Sequence, residues 1–180
     1  MIGQLGHSII TEPGNESVLG YRPNIGIVLV NDAGCVFVGK RSDQISPDDG
    51  WQMPQGGIDP GESAADALWR ELQEEIGTRK AEMVASFPRP LTYDFPEHAR
   101  NKLYGGKFRG QSQIWFLLRY LGDNSDIHLS RSLAPGERPE FSDYDWKTPQ
   151  AVLNYAVPFK RAIYENVLYY FDEFIAFGRR

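Results

Sequence analysis

Residues 56–78 read GGIDPGESAADALWRELQEEIGT, and the spacing of their charged side chains decides how the chain is read. Glu71, Glu74 and Glu75 stand at i, i+3 and i+4, which on a helix places three carboxylates on one face. Like charges so placed repel one another and cost stability unless a cation sits among them. Hard oxygen donors held together in this way suit Mg²⁺ or Mn²⁺.

The helix is well marked. Asp59-Pro60-Gly61-Glu62-Ser63 is a turn that delivers Ser63 as an N-cap, with Asp66 three residues on. Residues 64–76 are good helix formers without proline or glycine, and Gly77 is placed to end the helix. At about 100° per residue, Ala65, Leu68, Leu72 and Ile76 form an apolar stripe. The three glutamates centre about a quarter-turn from it, which predicts carboxylates on the rim of a cleft. An arbitrary E-x-x-E-E is most often a solvated acidic face. Glycines, Glu62 and Arg70 at fixed offsets argue against that here.

The segment resembles the Nudix box, G-x5-E-x7-R-E-U-x-E-E-x-G-U, with U a bulky aliphatic residue. Gly56, Glu62, Arg70, Glu71, Leu72, Glu74, Glu75 and Gly77 match it. Thr78 is the single departure. It follows the helix, so the change is expected to affect packing more than metal binding. The motif is long and specific.

Composition sets the outer limits. With 180 residues and 41% hydrophobic residues, the chain suits one soluble globular domain with a substantial core. No apolar run approaches a membrane span, and residues 1–20 lack the features of a signal peptide. Cys35 is the only cysteine, so no intramolecular disulfide forms, and its CVFV context predicts a buried core thiol. A cytoplasmic location fits this usage. Residues 56–77 hold six acids and one base, so this unit carries as much excess negative charge as the whole chain, whose net charge is −5. A bare anionic cluster repels phosphates, and a bound divalent cation reverses that logic.

Outward from the box, residues 1–20 read as a flexible N-terminal arm and 21–177 as one domain. Residues 24–30 read as a strand, 31–34 as a turn, and 35–39 as the returning strand of a hairpin. Residues 41–50 form a polar loop, and Gly56-Gly57 a backbone turn that lets chain segments approach closely. Residues 83–88 and 113–120 are further strands, the second apolar enough to be central. Residues 158–177 form a C-terminal amphipathic helix closed by Gly178. The irregular alternation predicts an α/β fold with a mixed sheet. The resemblance implies the same, as a Nudix α/β/α sandwich with a loop-helix-loop catalytic box.

Hydrolysis of a phosphoanhydride needs an attacking water and neutralisation of non-bridging charge. A divalent cation supplies both, and a carboxylate takes the proton. Glu71, Glu74 and Glu75 are the metal ligands by their shared face. The resemblance implies that Arg70 orients glutamates and that a glutamate of this group, or one on a distant loop, is the base.

Further resemblance covers most of residues 20–170. The runs YRPNIG (21–26), WQMPQGG (51–57), LTYDFP (91–96), GQSQIWF (110–116), PEF (139–141) and FKR (159–161) are similar to bacterial RNA pyrophosphohydrolases and plant-type diadenosine tetraphosphate hydrolases. LTYDFP and the Gly105-Gly106…Gly110-Gln111 stretch are closer to the plant and alphaproteobacterial dinucleotide enzymes. The resemblance implies that Glu140 joins the metal site and is, beside the box glutamates, a candidate for the base. It also implies that Tyr93 and Phe159 contact or stack on a nucleobase, a stack being worth about 1–3 kcal/mol. The plainer alternatives are a surface loop for Glu140 and helix core for Phe159. Arg22, Arg41, Lys102 and Lys160 are candidate phosphate contacts. Residues 98–109 carry four bases and no other charge but His98, which suggests a mobile basic loop over the polyphosphate. Ile114 stands where related sequences often have lysine.

These features point first to a Mg²⁺-dependent hydrolase (Mn²⁺ or another divalent cation substituting) that cleaves diadenosine tetraphosphate asymmetrically to ATP and AMP. The alternative is removal of pyrophosphate from 5′-triphosphorylated RNA. The expected partners are therefore a nucleotide polyphosphate or the 5′ end of RNA, with neither DNA nor membrane. A noncatalytic nucleotide sensor is a third reading, and it expects a damaged box, whereas every carboxylate is present.

Overall fold

The computed structural model describes residues 18–43, 50–130 and 138–177. Most of the anticipated arm (1–17), part of the 41–50 loop and Gly178 lie outside them.

Two long strands form the middle of the molecule. β1 (Tyr21–Val30) runs parallel to β7 (Gly110–Tyr120), in register from Tyr21↔Gly110 to Val30↔Arg119. Both strands are nearly continuous in apolar residues beyond their first turn of sequence, as expected for strands covered on both faces. Alternate residues separate the two cores. Ile25, Ile27, Leu29, Phe116 and Leu118 face α1 (Ala64–Ile76). Val28, Val30, Trp115 and Leu117 face α3 (Pro149–Tyr155) and α4 (Pro158–Phe177), with Val152, Ile163, Val167 and Phe171 packed opposite. Each such side chain contributes about 1.5–3 kcal/mol by burial. The fold is α/β, a mixed sheet between helices, as anticipated.

The sheet divides along its middle strands, and this division creates the site. On its free edge β1 meets β4 (Gln55–Gly57) near its start and β2 (Val36–Arg41) only at Val30↔Val36. β7 likewise pairs with β6 (Leu91–Asp94) near its start and β5 (Ala81–Ser86) near its end. β2 continues to β3 (Trp51–Gln52) and β8 (Phe141–Lys147). The short helix α2 (Glu97–Arg100) precedes a 3-10 turn at Leu103–Gly106. β6, β8, α2 and α3 are elements the patterning did not announce.

Some readings change. Gly56 and Gly57 do not form a turn; they are extended residues of β4, paired with Ile25 and Asn24. Their lack of a side chain serves close approach instead. A Cβ on Gly56 would lie 1.7 Å from the Glu71 carboxyl carbon, and one on Gly57 would lie 1.9 Å from the Arg22 guanidinium. On α1 the buried stripe runs through Ala64, Ala67, Leu68, Leu72 and Ile76, displacing Ala65 to a half-buried position. Cys35 is half-buried, not core, because the strand begins one residue later. Thr78 is buried, which agrees with a packing role.

Candidate active site

α1 is fixed at both ends. The Ser63 hydroxyl accepts the Asp66 amide and donates to its carboxylate, and Gly77 closes the helix in the left-handed region. The helix therefore presents its glutamates to β4 in one orientation. Arg70 organises them. Its guanidinium donates bidentately to Glu62 at 2.8 Å, to the Gly57 carbonyl at 2.7 Å, to Glu71 at 2.7 Å and to Glu74 at 3.2 Å. Glu62, which also accepts the Asp59 amide, is held below the usual carboxylate range by Arg70 and serves the loop.

The three glutamates are not equivalent. Glu71 and Glu75 are buried and Glu74 is exposed. Glu75, 6% exposed, accepts the Gln55 amide at 3.1 Å. Burial pushes its carboxyl well above the ordinary range, and the charges of Glu71 and Glu140 push it further. Burial also raises Glu71, with Arg70 opposing. Glu140 lies beyond the sheet's other branch, bonded to Arg41 at 2.8 Å, while Arg41 also clasps Asp43. Arg41 thus orients a carboxylate while engaged by two of them. Among the described residues, no three His, Cys, Asp or Glu side chains already form a metal-holding group. Arg70 draws Glu71 and Glu74, and Arg41 draws Glu140. The donor set still fits a divalent cation, because two buried carboxylates whose ionised forms are disfavoured are oxygen ligands in need of positive charge.

Beside the carboxylates opens a cavity of about 380 Å³. Lys160, 7% exposed, reaches in from the first turn of α4 and donates to Gln52 and Gln55, each at 3.0 Å. Burial and the nearby Arg41 bring its ammonium down to about 8, against the pull of Glu75 and Glu140. Phe159 is 41% exposed and lines the cavity, so it is not helix core. Its ring stands 5.6 Å from that of Tyr93, whose hydroxyl donates to Gln111 at 2.6 Å. Arg22 lies against Gly57, donates to the Tyr104 hydroxyl at 3.2 Å and sits 4.6 Å from that ring. Lys102 is exposed beside Leu103 and Tyr104 and does not itself line the cavity. Of the other bases in this loop, Arg100 and Arg109 pair with Asp94, which halves the loop's uncommitted charge. Ile114 is buried in the α1-side core and offers no phosphate contact.

Sequence reading missed the polar floor. Gln113 donates to Asn24 at 2.8 Å and to Gln55 at 3.1 Å, tying β1, β4 and β7 together beneath Lys160. Gln52 Nε2 is buried without a partner at the cavity wall, a donor available to a ligand. The available signal was Gln111 and Gln113, two amides at strand period on one face of an otherwise apolar strand.

A NUDIX domain model matches residues 20–167. An RNA pyrophosphohydrolase of Rhodospirillum rubrum is 46% identical over 150 residues, covering 83% of this chain and 86% of its own. The E. coli dihydroneopterin triphosphate pyrophosphohydrolase superposes with a TM-score of 0.61 at 22% identity, covering 81% of this chain and 95% of its own. A C. elegans Ap4A hydrolase complex superposes at 0.59 with 19% identity, covering 86% and 98%. At such identities the two structures attest the fold alone.

Proposed function

We propose, for a chain that belongs to the Nudix family, that the substrate is the 5′-triphosphorylated end of RNA, from which pyrophosphate or phosphate is released. Membership makes the chain a hydrolase of pyrophosphate bonds. The observation that carries the RNA reading is the 46% identity over most of the chain with a protein named RNA pyrophosphohydrolase. Cleavage of diadenosine tetraphosphate is the second reading, favoured by the LTYDFP run, and the aromatic cavity suits a base of either substrate.

A divalent cation, Mg²⁺ in the first instance, would be held by Glu71 and Glu75 with Glu74 and Glu140 as further donors, and would neutralise phosphate charge and acidify a water. Arg70 holds Glu71 and Glu74 in place, and Arg41 holds Glu140. One carboxylate of this set takes the proton of the attacking water. Phe159 and Tyr93 bind the base, while Lys160 and Arg22 face the phosphates. No helix among the described residues is long and apolar enough to cross a membrane. We place the activity in the cytoplasm.

The test compares kcat/KM for a short 5′-triphosphate RNA and for diadenosine tetraphosphate, both with Mg²⁺, with products separated by chromatography. Preference for RNA is expected. Preference for the dinucleotide with ATP and AMP as products would establish the second reading, and turnover of neither would leave a nucleotide sensor.

A further inference from the structure

Arg22 is held differently from the other arginines of the site. Arg70 is bonded to Glu62, Glu71 and Glu74, and Arg41 to Asp43 and Glu140, so carboxylates balance both charges. Arg22 forms no ion pair with a carboxylate among the described residues. Its place is nonetheless fixed from two sides. Its Nη2 fills the space a side chain on Gly57 would need, 1.9 Å from an ideal Cβ. Its Nη1 donates to the Tyr104 hydroxyl at 3.2 Å, and the guanidinium carbon stands 4.6 Å from the centre of that ring. The Gly57 carbonyl in turn accepts from Arg70, which joins this corner to Glu71.

Tyr104 is itself held in an uncommon form. Among the described residues it alone, glycines aside, has a positive φ, at +51°. A residue with a Cβ adopts that conformation at a cost, and keeps it only where its surroundings demand it. Those surroundings are visible. Its ring stacks on Phe95 at 5.9 Å and meets Phe108 edge-on at 6.2 Å. The loop that carries it is closed at its neck, where the Phe95 amide donates to the Arg109 carbonyl and Arg109 clasps Asp94. These contacts deliver the phenol to a partner 82 positions away in sequence.

A phenol holds a guanidinium without cancelling its charge. The hydroxyl oxygen accepts one N–H, and the ring face attracts the cation. A carboxylate in the same place would neutralise the charge that a polyphosphate requires. We propose that Tyr104 is a positioning residue for the hydrolysis, fixing the Arg22 guanidinium beside Gly57, where that cation meets the phosphates of the substrate. The proposal rests on the reading of Arg22 as a phosphate contact. Tyr104 borders the cavity as well, but the role assigned to it runs through Arg22 and not through a base.

The probe that separates these roles is methylenediphosphonate, a pyrophosphate analogue that carries no base and whose P–C–P bridge is not hydrolysed. It is titrated by calorimetry into the protein with Mg²⁺. Tyr104→Phe and Tyr104→Leu keep an unbranched Cβ and with it the same backbone strain, so their differences report the side chain. Arg22→Ala should weaken the probe about tenfold or more. Tyr104→Leu should weaken it about tenfold, and Tyr104→Phe, which keeps the ring face, about threefold. In the Arg22→Ala background neither Tyr104 change should weaken it further, because the residue acts only through the missing guanidinium. The kcat/KM of the preferred substrate should show the same coupling. Additive losses in the double variants would make Tyr104 a packing residue of its loop, and a loss seen with ATP but not with the probe would make it a wall for the base. Either result overturns the proposal. An Arg22→Ala protein that binds the probe as the parent does would remove the phosphate reading of Arg22 and this role with it. A weakened Arg22→Ala protein beside unaffected Tyr104 variants would overturn the positioning role alone.

Discussion

At Gly56 the space a methyl group would fill is occupied by the Glu71 carboxylate, with its three terminal atoms 1.7–2.2 Å from an ideal Cβ. The backbone there is ordinary β-strand, so alanine meets no conformational penalty. The obstacle is the far end of a flexible side chain, which can swing away. Gly56→Ala should therefore fold with a melting temperature close to that of the parent, while turnover falls on the order of 10²-fold or more because Glu71 is displaced from its bond with Arg70. Steady-state kinetics beside thermal melts check this. Preserved turnover would mean that Glu71 is not needed where Arg70 holds it. The box was legible to this level because its residues act on near neighbours in sequence. The pairing of Arg41 with Glu140 joins positions 99 residues apart, and no local pattern announces it.

The element most fully legible in advance is α1, since cap, stripe and stop all lie inside one segment. Gly77 illustrates how much the stop contributes. It has φ +78°, donates its amide to the Gln73 carbonyl, and faces the His128 carbonyl oxygen 2.2 Å from where a Cβ would stand. That neighbour is backbone and cannot swing aside, since His128 also donates its own amide to the Ile76 carbonyl. Gly77→Ala should cost about 1–3 kcal/mol from the left-handed conformation alone, lowering Tm by roughly 2–4 °C per kcal/mol. Denaturant unfolding with unchanged slope would confirm a pure stability loss. A neutral outcome would show that the loop carrying His128 yields. β6 and β8 escaped notice for a physical reason. Both are edge strands mixing charged and aromatic residues, LTYD and FSDYDWK, and only pairing with β7 and β2 makes them strands.

Across the whole molecule, the site depends on bringing α1 on one branch of the divided sheet toward Glu140 at the start of β8 on the other. Without a cation this convergence is unfavourable, since Glu75 is buried and faces the charges of Glu71 and Glu140. Its carboxyl titrates higher in the folded chain than in the unfolded one, so the folded state binds the extra proton. The resulting cost is absent at acid pH, where both states are protonated, grows as pH rises through the range between the unfolded and folded values, and is complete above the folded one. A divalent cation offsets the cost only where the carboxylates are ionised. Mg²⁺ should therefore raise Tm more at pH 8 than at pH 5, relative to the same protein in EDTA. Glu75→Gln removes the charge that burial penalises. In EDTA at pH 8 this variant should melt above the parent, and Mg²⁺ should shift it less. Thermal melts of both proteins at the two pH values, with and without Mg²⁺, decide the matter. A variant that melts lower in EDTA, yet responds to Mg²⁺ as the parent does, would show that the cation binds without Glu75 and that this carboxylate is kept for packing alone.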